Sequence, residues 1–232
     1  MSGQLVSIIL PVYRQADHIR EIVREYCDAL NRLNSPFELV LVANGPADAT
    51  LDACRELERE LKAVRVVRSV ERGWGRAVRL GLREASGDLL CYTNSARTSS
   101  QDLFLMLVYA LAYPDVVLKA ERKIRDRLSR RLGSLIYNLE CRALFDLSYW
   151  DINGTPKVFP RSCQKLLELI RDDDLIDLEF NVICRREGYR VLGVPILSTR
   201  RHGGKSTTNI WSAVRMYWGC YKMWRSLRRQ RP

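Results

Sequence analysis

This chain has little that would cross-link it, span a bilayer or hold a soft metal. Its cysteines, Cys27, Cys54, Cys91, Cys141, Cys163, Cys184 and Cys220, are odd in number and scattered, with no C-x-x-C pair. That argues against a disulfide framework and a zinc site, and for a reducing compartment. No stretch approaches the roughly eighteen uncharged apolar residues of a membrane span. Met1–Gln4 leads into an apolar strand without a basic leader, so no signal peptide is expected. Internal repeats, low-complexity tracts and linkers are absent, which leaves one domain. His202, alone among glycines, has no metal partner in sequence and reads as a loop residue. Acids are missing from Ser198 to Pro232, where Arg200, Arg201, Lys205, Arg215, Lys222, Arg225, Arg228, Arg229 and Arg231 give +9.

What is present is a 232-residue chain with 47% hydrophobic and 28% charged residues, long enough for one sizeable globular domain with an appendage. Its net charge is +11. Lys119–Arg142 carries eight bases and three acids, or +5, so the residues outside this stretch and the C-terminal one sum to −3. Two segments hold the positive charge, and those segments are expected to meet something anionic.

Apolar runs and helical periodicities alternate along the first half. Val6–Val12, Phe37–Val42, Val64–Val67, Asp88–Thr93 and Asp115–Lys119 read as buried strands. Between them lie four helices: one carrying Ile19, Ile22, Val23, Tyr26 and Leu30 with Asp17 at its start, one capped by Asp48, one over Gly73–Ala85 and one over Leu103–Tyr113. Strict βαβα order predicts a doubly wound, mostly parallel α/β sheet with helices on both faces. Ligands of such sheets bind beyond the carboxyl ends of the strands. That gathers Tyr13–Gln15, Ala43–Pro46 and Asn94–Ser99 around one crevice. Further on, Arg125–Leu147 reads as a long helix with Leu128, Leu132, Leu135, Ile136, Leu139 and Ala143 on one side. Helices are expected at Cys163–Ile170 and Leu178–Arg185, and a strand at Tyr189–Leu197.

The stretch Gly87–Asp102, GDLLCYTNSARTSSQD, is the informative one: a buried strand runs into a polar loop with no acid between Asn94 and Gln101. Around it, VSIILPVYRQADHI resembles the opening of family-two glycosyltransferases, which usually read P-V-Y-N-E. VLVANGPADAT is similar to their V-V-D-D-G-S-x-D-G-T, and ERGWGRAVRLGLREASGD to N-x-G-x-G-x-A-x-x-x-G running up to G-D. KAERKIRDRLSRRLGSLIYNL, DINGTPKVFPR, DLIDLEF and RHGGKS resemble, in order, the arginine-rich helix and later motifs of the polyprenyl-phosphate branch, the dolichol-phosphate mannose synthase-like enzymes. The resemblance covers roughly residues 5–207. It implies a GT-A-type fold, with residues 208–232 as a basic, aromatic, amphipathic helix and tail.

The resemblance also implies an activity: inverting transfer of a sugar from a nucleotide-sugar donor to a lipid phosphate or another acceptor, with Mg²⁺ or Mn²⁺ held by an Asp-X-Asp loop. Position by position, Pro11 and Tyr13 fall on residues that line the base and ribose, and Val42 and Asn44 on the pair that reads the base. Asn94, Ser95 and Ala96 fall on Asp-X-Asp. Arg122 and Arg125 match phosphate-holding arginines, and Arg201 a late diphosphate-binding arginine; Thr207 stands where the family has lysine. Gln15, Ala43, Asn44, Asn94 and Ala96 replace acids, and hard cations need charged oxygen ligands, so no metal site of the usual form is expected. Two readings follow. In one, Arg97, with Arg201 and Lys205, neutralises the leaving diphosphate in the cation's place, and a phosphate acceptor needs no base. In the other, the fold is kept as a non-catalytic nucleotide-sugar binder or scaffold.

Plainer readings stand beside these. The arginines of 122–131 could be a solvated helix face. Asp151 and Lys157 are expected as a structural ion pair. Asp177 and Glu179 fall where related enzymes carry a base toward a hydroxyl acceptor, or they cap the following helix. Trp74 is expected against the sheet rather than over the crevice. At the C-terminus Ile210, Val214, Tyr217, Tyr221 and Trp224 form one helical stripe, edged by Trp211 and Trp218 and flanked by Arg215 and Lys222. Aromatic face and basic flanks predict an interfacial helix on an anionic membrane surface through residues 210–231; an amphipathic helix packed on the domain is the alternative. No nucleic-acid module is present. The expected location is cytoplasmic, peripheral on the inner face of a membrane.

Overall fold

The structure, a computed structural model, describes residues 3–46, 48–124, 128–197 and 210–229, apart from the side chains of 123, 124, 128–132 and 210–213. Arg125, Arg201 and Lys205 lie outside the described residues or side chains.

A seven-stranded sheet runs through the molecule: β1 (Val6–Val12), β2 (Phe37–Asn44), β3 (Val64–Ser69), β4 (Leu89–Tyr92), β5 (Val117–Ile124), β6 (Lys157–Pro160) and β7 (Val191–Leu197), in the order β3-β2-β1-β4-β6-β5-β7. All pairings are parallel except those of β6, which lies antiparallel between β4 and β5. The alternating buried runs dictate two cores, one on each face. From β1, Val6, Ile8, Leu10 and Val12 point to one core and Ile9 to the other; from β2, Leu39 and Leu41 oppose Val40 and Val42. Helices α1 (Ile19–Leu30), α2 (Ala49–Glu60) and α4 (Ser100–Ala112) cover the first face; α3 (Trp74–Glu84) and α6 (Ile176–Arg186) cover the second. The expected α/β architecture is present, with a C-terminal helix.

Particular boundaries differ. Asp17 does not cap α1: His18 occupies the cap position with no side-chain bond, and the amides of His18 and Ile19 turn back to the Gln15 carbonyl at 3.0 and 2.9 Å. Asp48 does cap α2, accepting from the Thr50 amide at 2.9 Å. The fifth strand extends to Ile124 because β7 pairs along its whole length, and Cys163–Ile170 yields only a 3-10 turn at Gln164–Leu167.

A third cluster joins α5 (Leu128–Phe145), α6 and α7 (Ile210–Arg229) around Tyr137, Cys141, Leu178, Val182, Cys220 and Met223. The buried face of α5 is set by Tyr137 and Cys141, so Leu135, Ile136 and Leu139 of the expected apolar stripe point outward instead. On α7 the stripe divides. Tyr217 turns inward, its hydroxyl donating to the Gly133 carbonyl at 2.6 Å and its ring standing edge-on to Tyr137, whereas Val214, Trp218 and Tyr221 are exposed. Packing on the domain and an outward aromatic face therefore occur together on one helix. The carboxyl ends of β5 and β7, which precede these two helices, lie at the same edge of the sheet as those of β1, β2 and β4, because the intervening β6 is antiparallel to both its neighbours.

Candidate active site

At the carboxyl ends of β1, β2 and β4 the chain turns three times, and the turns bond to one another. The β1–β4 ladder stops at Ile9–Tyr92, leaving Pro11, which has no N–H to offer, in a stretch paired with β2 alone. Beyond it come Tyr13, then Arg14 in the left-handed region (φ 49°), then Gln15. The Gln15 amide donates to Thr50 Oγ1 at 3.3 Å, and its side-chain carbonyl accepts from Ser95 Oγ at 2.8 Å. From β2, the Asn44 side-chain oxygen accepts the Gly73 amide at 3.1 Å. The connection between β3 and α3 is thereby tied to the crevice. A Cβ at Gly75 would meet the Arg171 carbonyl at 2.3 Å, so only glycine lets the segment at 170–173 rest on the start of α3.

The loop after β4 is built to hold itself. Asn94 Oδ1 accepts the Ala96 amide at 3.0 Å, and the Asn94 carbonyl accepts the amides of Arg97 and Thr98, both at 3.0 Å. Thr93 and Thr98 share a hydroxyl bond of 2.7 Å, Tyr26 Oη donates to the Thr98 carbonyl at 2.8 Å, and Ser99 caps α4. Ser95 and Ala96 are buried, and Val42 is packed in the core, so of these positions only Asn94 and Arg97 present partly exposed side chains. The nearest helix-start acids are committed: Asp48 to the Thr50 amide, Asp102 to Ser99 Oγ at 2.8 Å. Two amides, a hydroxyl and a methyl do not fit a hard divalent cation, which takes charged oxygens. Among the described residues no group of three or more His, Cys, Asp or Glu could hold one.

Beneath the crevice lies a buried charge network that the sequence did not reveal in its actual pairing. Lys157 does not pair with Asp151. Its ammonium meets Asp177, which also accepts from Tyr92 Oη at 3.0 Å and Trp74 Nε1 at 3.1 Å. Asp151 instead takes Arg122, accepting from its backbone amide at 3.0 Å, Nε at 2.7 Å and Nη2 at 2.6 Å. Lys157 sits on antiparallel β6 and faces the other core, which explains the exchange. Burial acts to lower the Arg122 pKa, but the Asp151 carboxylate overrides it and raises the guanidinium above its ordinary value. Lys119 is fully buried and donates to the carbonyls of Trp150 and Asp151; burial first, then the Lys157 charge, push it down to about 8. Burial likewise lowers Lys157, with Asp177 opposing.

These pairings decide several assignments. Glu179 accepts the amides of Ile170 (3.1 and 3.2 Å) and Arg171 (2.9 Å), a structural task. Asp177, 5% exposed and held by three donors, cannot reach an acceptor hydroxyl as a base must. Trp74 packs on the sheet side, edge-on to Tyr92 at 6.4 Å. Two residues that sequence reasoning passed over stand at the crevice mouth: the guanidiniums of Arg14 and Arg72 lie over the Tyr13 ring, 5.3 and 5.2 Å from its centroid. Arg14 stands where the resembling motif has Asn, the only signal that could have singled it out.

Comparison with known proteins bears on the fold and the family. Residues 7–167 match the family model described as glycosyl transferase family 2. A protein from Edwardsiella ictaluri (strain 93-146), an undecaprenyl-phosphate 4-deoxy-4-formamido-L-arabinose transferase, is 23% identical over 92% of this chain and 66% of its own length. The enzyme of that name from Salmonella choleraesuis (strain SC-B67) is 24% identical over 87% of this chain and 62% of its own. The chain thus spans two thirds or less of these relatives. Among solved structures, glucosyl-3-phosphoglycerate synthase from Mycobacterium tuberculosis, in complex with Mn²⁺, UDP-glucose and phosphoglyceric acid, superposes with a TM-score of 0.74 at 16% identity, over 97% of this chain and 79% of that one. The fold is shared, and the family model covers most of this chain's sheet: the chain belongs to glycosyl transferase family 2.

Proposed function

We propose that this chain transfers a sugar, with inversion, from a nucleotide-sugar donor to a polyprenyl phosphate or related lipid phosphate at a membrane surface, with little or no dependence on a divalent cation. The observation that carries the acceptor is the outward face of α5 and α7. On α5, Leu135, Ile136 and Leu139 are about half exposed, at 45%, 50% and 51%; on α7, Trp218 is 57% exposed, and the basic Lys222, Arg225 and Arg228 are exposed as well. Apolar and aromatic side chains bordered by cations suit the interface of an anionic bilayer. Both helices follow strands, β5 and β7, whose carboxyl ends lie at the same edge of the sheet as the crevice, so an acceptor phosphate at a lipid surface there would lie on the crevice side. No helix among the described residues is long and apolar enough to cross a membrane, and all seven cysteines are unpaired, which suits a reducing, cytoplasmic face. The named relatives act on undecaprenyl phosphate, which supports the same acceptor class.

The chemistry follows from charge. An acceptor phosphate oxygen attacks the anomeric carbon opposite the donor diphosphate; the carbon–oxygen bond to that diphosphate breaks, and the nucleoside diphosphate leaves with the electron pair. The phosphate is already ionised, so the occlusion of Asp177 costs nothing. Stabilising the leaving group falls to guanidiniums, which bind phosphate oxygens in pairs. Arg97 is one candidate; Arg125, Arg201 and Lys205, expected from the resemblance, lie outside the described residues, and Arg122 is committed to Asp151. The experiment is incubation of the full chain with a panel of nucleotide-sugars and vesicles containing polyprenyl phosphate, reading lipid-extractable sugar. Product formation supports transfer. Nucleotide binding without product from any donor would favour the non-catalytic reading, which the loss of the Asp-X-Asp acids motivates.

A further inference from the structure

We propose that Arg14 and Arg72, gathered on Tyr13, hold the diphosphate of the nucleotide donor and so occupy the electrostatic role of a divalent cation in this crevice. This rests on the donor-site reading above and names the groups that make it work.

Three independent features converge on the pair. The first is that no acid among the described residues is bonded to either guanidinium: Glu71, which precedes Arg72, is paired with Arg76. Gln15, Ala43, Asn44, Asn94 and Ala96 line the turns with neutral side chains, and Asp48 and Asp102 are spent on helix starts. The second is placement. Tyr13 and Arg14 leave the end of β1, and Arg72 precedes α3. The site of a Cβ on Gly45, at the end of β2, is 3.4 Å from Arg72 Cγ and 3.5 Å from Tyr13 Cε2. Three chain turns thus place two guanidiniums on one ring, with distances of 5.3 and 5.2 Å that keep them within about 10 Å of each other. The third is cost. Arg14 adopts a left-handed backbone (φ 49°), unfavourable by roughly 1 kcal/mol or more for a residue with a Cβ. Assembling two like charges without an acid is also unfavourable, and a cation–π contact at an exposed site returns only about 0.5–1 kcal/mol.

An anion removes that mismatch. A diphosphate brings charge of the opposite sign and several acceptor oxygens to two planar donors that carry no salt bridge or hydrogen bond within the described protein. The backbone that aims Arg14 is fixed on its far side, where the Gln15 amide meets Thr50 and the Gln15 carbonyl receives His18 and Ile19. Preorganised donors of this kind stabilise charge without rearranging when it develops on the leaving group. The Tyr13 ring carries the two cations as a neutral platform, and Asn44 is left to orient the Gly73 turn rather than to bind metal.

The test is calorimetric binding of nucleoside diphosphates, nucleoside monophosphates and uncharged nucleosides to the full chain in excess EDTA, repeated with Arg14→Asn, Arg72→Ala and the charge-keeping Arg72→Lys. The wild type is expected to bind at least one diphosphate in EDTA, with affinity changing less than twofold on adding Mg²⁺. Arg14→Asn and Arg72→Ala are each expected to weaken that diphosphate tenfold or more and to change nucleoside affinity less than twofold, while Arg72→Lys recovers part of the loss. A wild type that binds diphosphate only with Mg²⁺, or variants that bind it in EDTA as the wild type does, would overturn the arginine pair and leave the donor site standing. A wild type that binds no nucleoside diphosphate under either condition would overturn the donor site itself, and this inference with it. Both residues are exposed, and an unchanged thermal midpoint separates lost binding from lost folding.

Discussion

Among the described residues, Asp151 anchors one of the two buried ion pairs beneath the crevice. It sits in a left-handed backbone (φ 51°), 6% exposed, with the Arg122 guanidinium closed on it from two nitrogens. Removing one member of such a pair strands the other, which costs about 3–5 kcal/mol. Asp151→Asn keeps the shape and tolerates the backbone, so its loss, expected at about 2–4 kcal/mol by urea denaturation, isolates the charge; Asp151→Ala should lose more. Lys119 gives a pH signature. Its folded pKa of about 8 lies below the unfolded value of 10.5. Below pH 8 both states hold the proton and the folded state bears the full cost of a buried ammonium. As pH rises from 8 toward 10.5 the folded state releases it first, the unfolded state binds more protons, and stability rises. Buried thiols such as Cys54, raised by burial to about 12, pull the other way as unfolded cysteines ionise. The readout is therefore a difference: between pH 7.5 and 9.5 the wild type should gain about 2 kcal/mol relative to Lys119→Met. No gain would mean that the ammonium is better solvated than its burial implies. Neither residue's partner was legible in the chain. Asp151 and Lys157 are six apart in a motif that invites pairing, and only the reversal of β6 sends them to different partners.

Among the elements, strands announced themselves and faces did not. Continuous apolar runs such as VSIILPV make buried parallel strands whatever else happens, since both faces must be covered. A helix surface is ambiguous when it is apolar over more than one stripe. Leu135, Ile136 and Leu139 fit helical periodicity as well as Tyr137 and Cys141 do, and tertiary packing chose the latter. The same choice on α7 allows a clean separation of roles. Trp218→Ser with Tyr221→Ser changes exposed rings, so the unfolding free energy from urea denaturation should stay within about 0.5 kcal/mol while co-sedimentation with anionic vesicles falls several-fold. Met223→Asp places a charge in the third cluster and should free α7 from α5, seen as a loss of protection in hydrogen exchange along both helices. Unchanged vesicle binding in the double serine variant would count against the interfacial face. On the sheet, α3 approaches so closely that a Cβ at Gly81 would lie 2.3 Å from Ile9 Cγ2 and 3.0 Å from Val42 Cγ2. Gly81→Ala should therefore destabilise by about 1–3 kcal/mol, against the usual gain from replacing a helical glycine.

The whole molecule is organised by charge of one sign at one edge. The sheet gathers its carboxyl ends on one side, the acids expected there are replaced, and arginines stand at the mouth on Tyr13, while the helices that follow β5 and β7 carry exposed apolar and aromatic side chains. The replacement of Asp-X-Asp by Asn94-Ser95-Ala96 could be read from motif order. That Ser95 is buried against Gln15, and that Arg72 joins Arg14 on the Tyr13 ring, required the fold, because those contacts link separate strand ends and no local spacing encodes them. The most direct measurement is initial rate of sugar transfer to vesicle-borne polyprenyl phosphate, from whichever nucleotide-sugar the chain accepts, in excess EDTA and again in saturating Mg²⁺. Rates within about twofold of each other are expected where guanidiniums carry the leaving-group charge. Activity abolished by EDTA and restored by Mg²⁺ would contradict this, and would mean that a cation still binds among these neutral side chains.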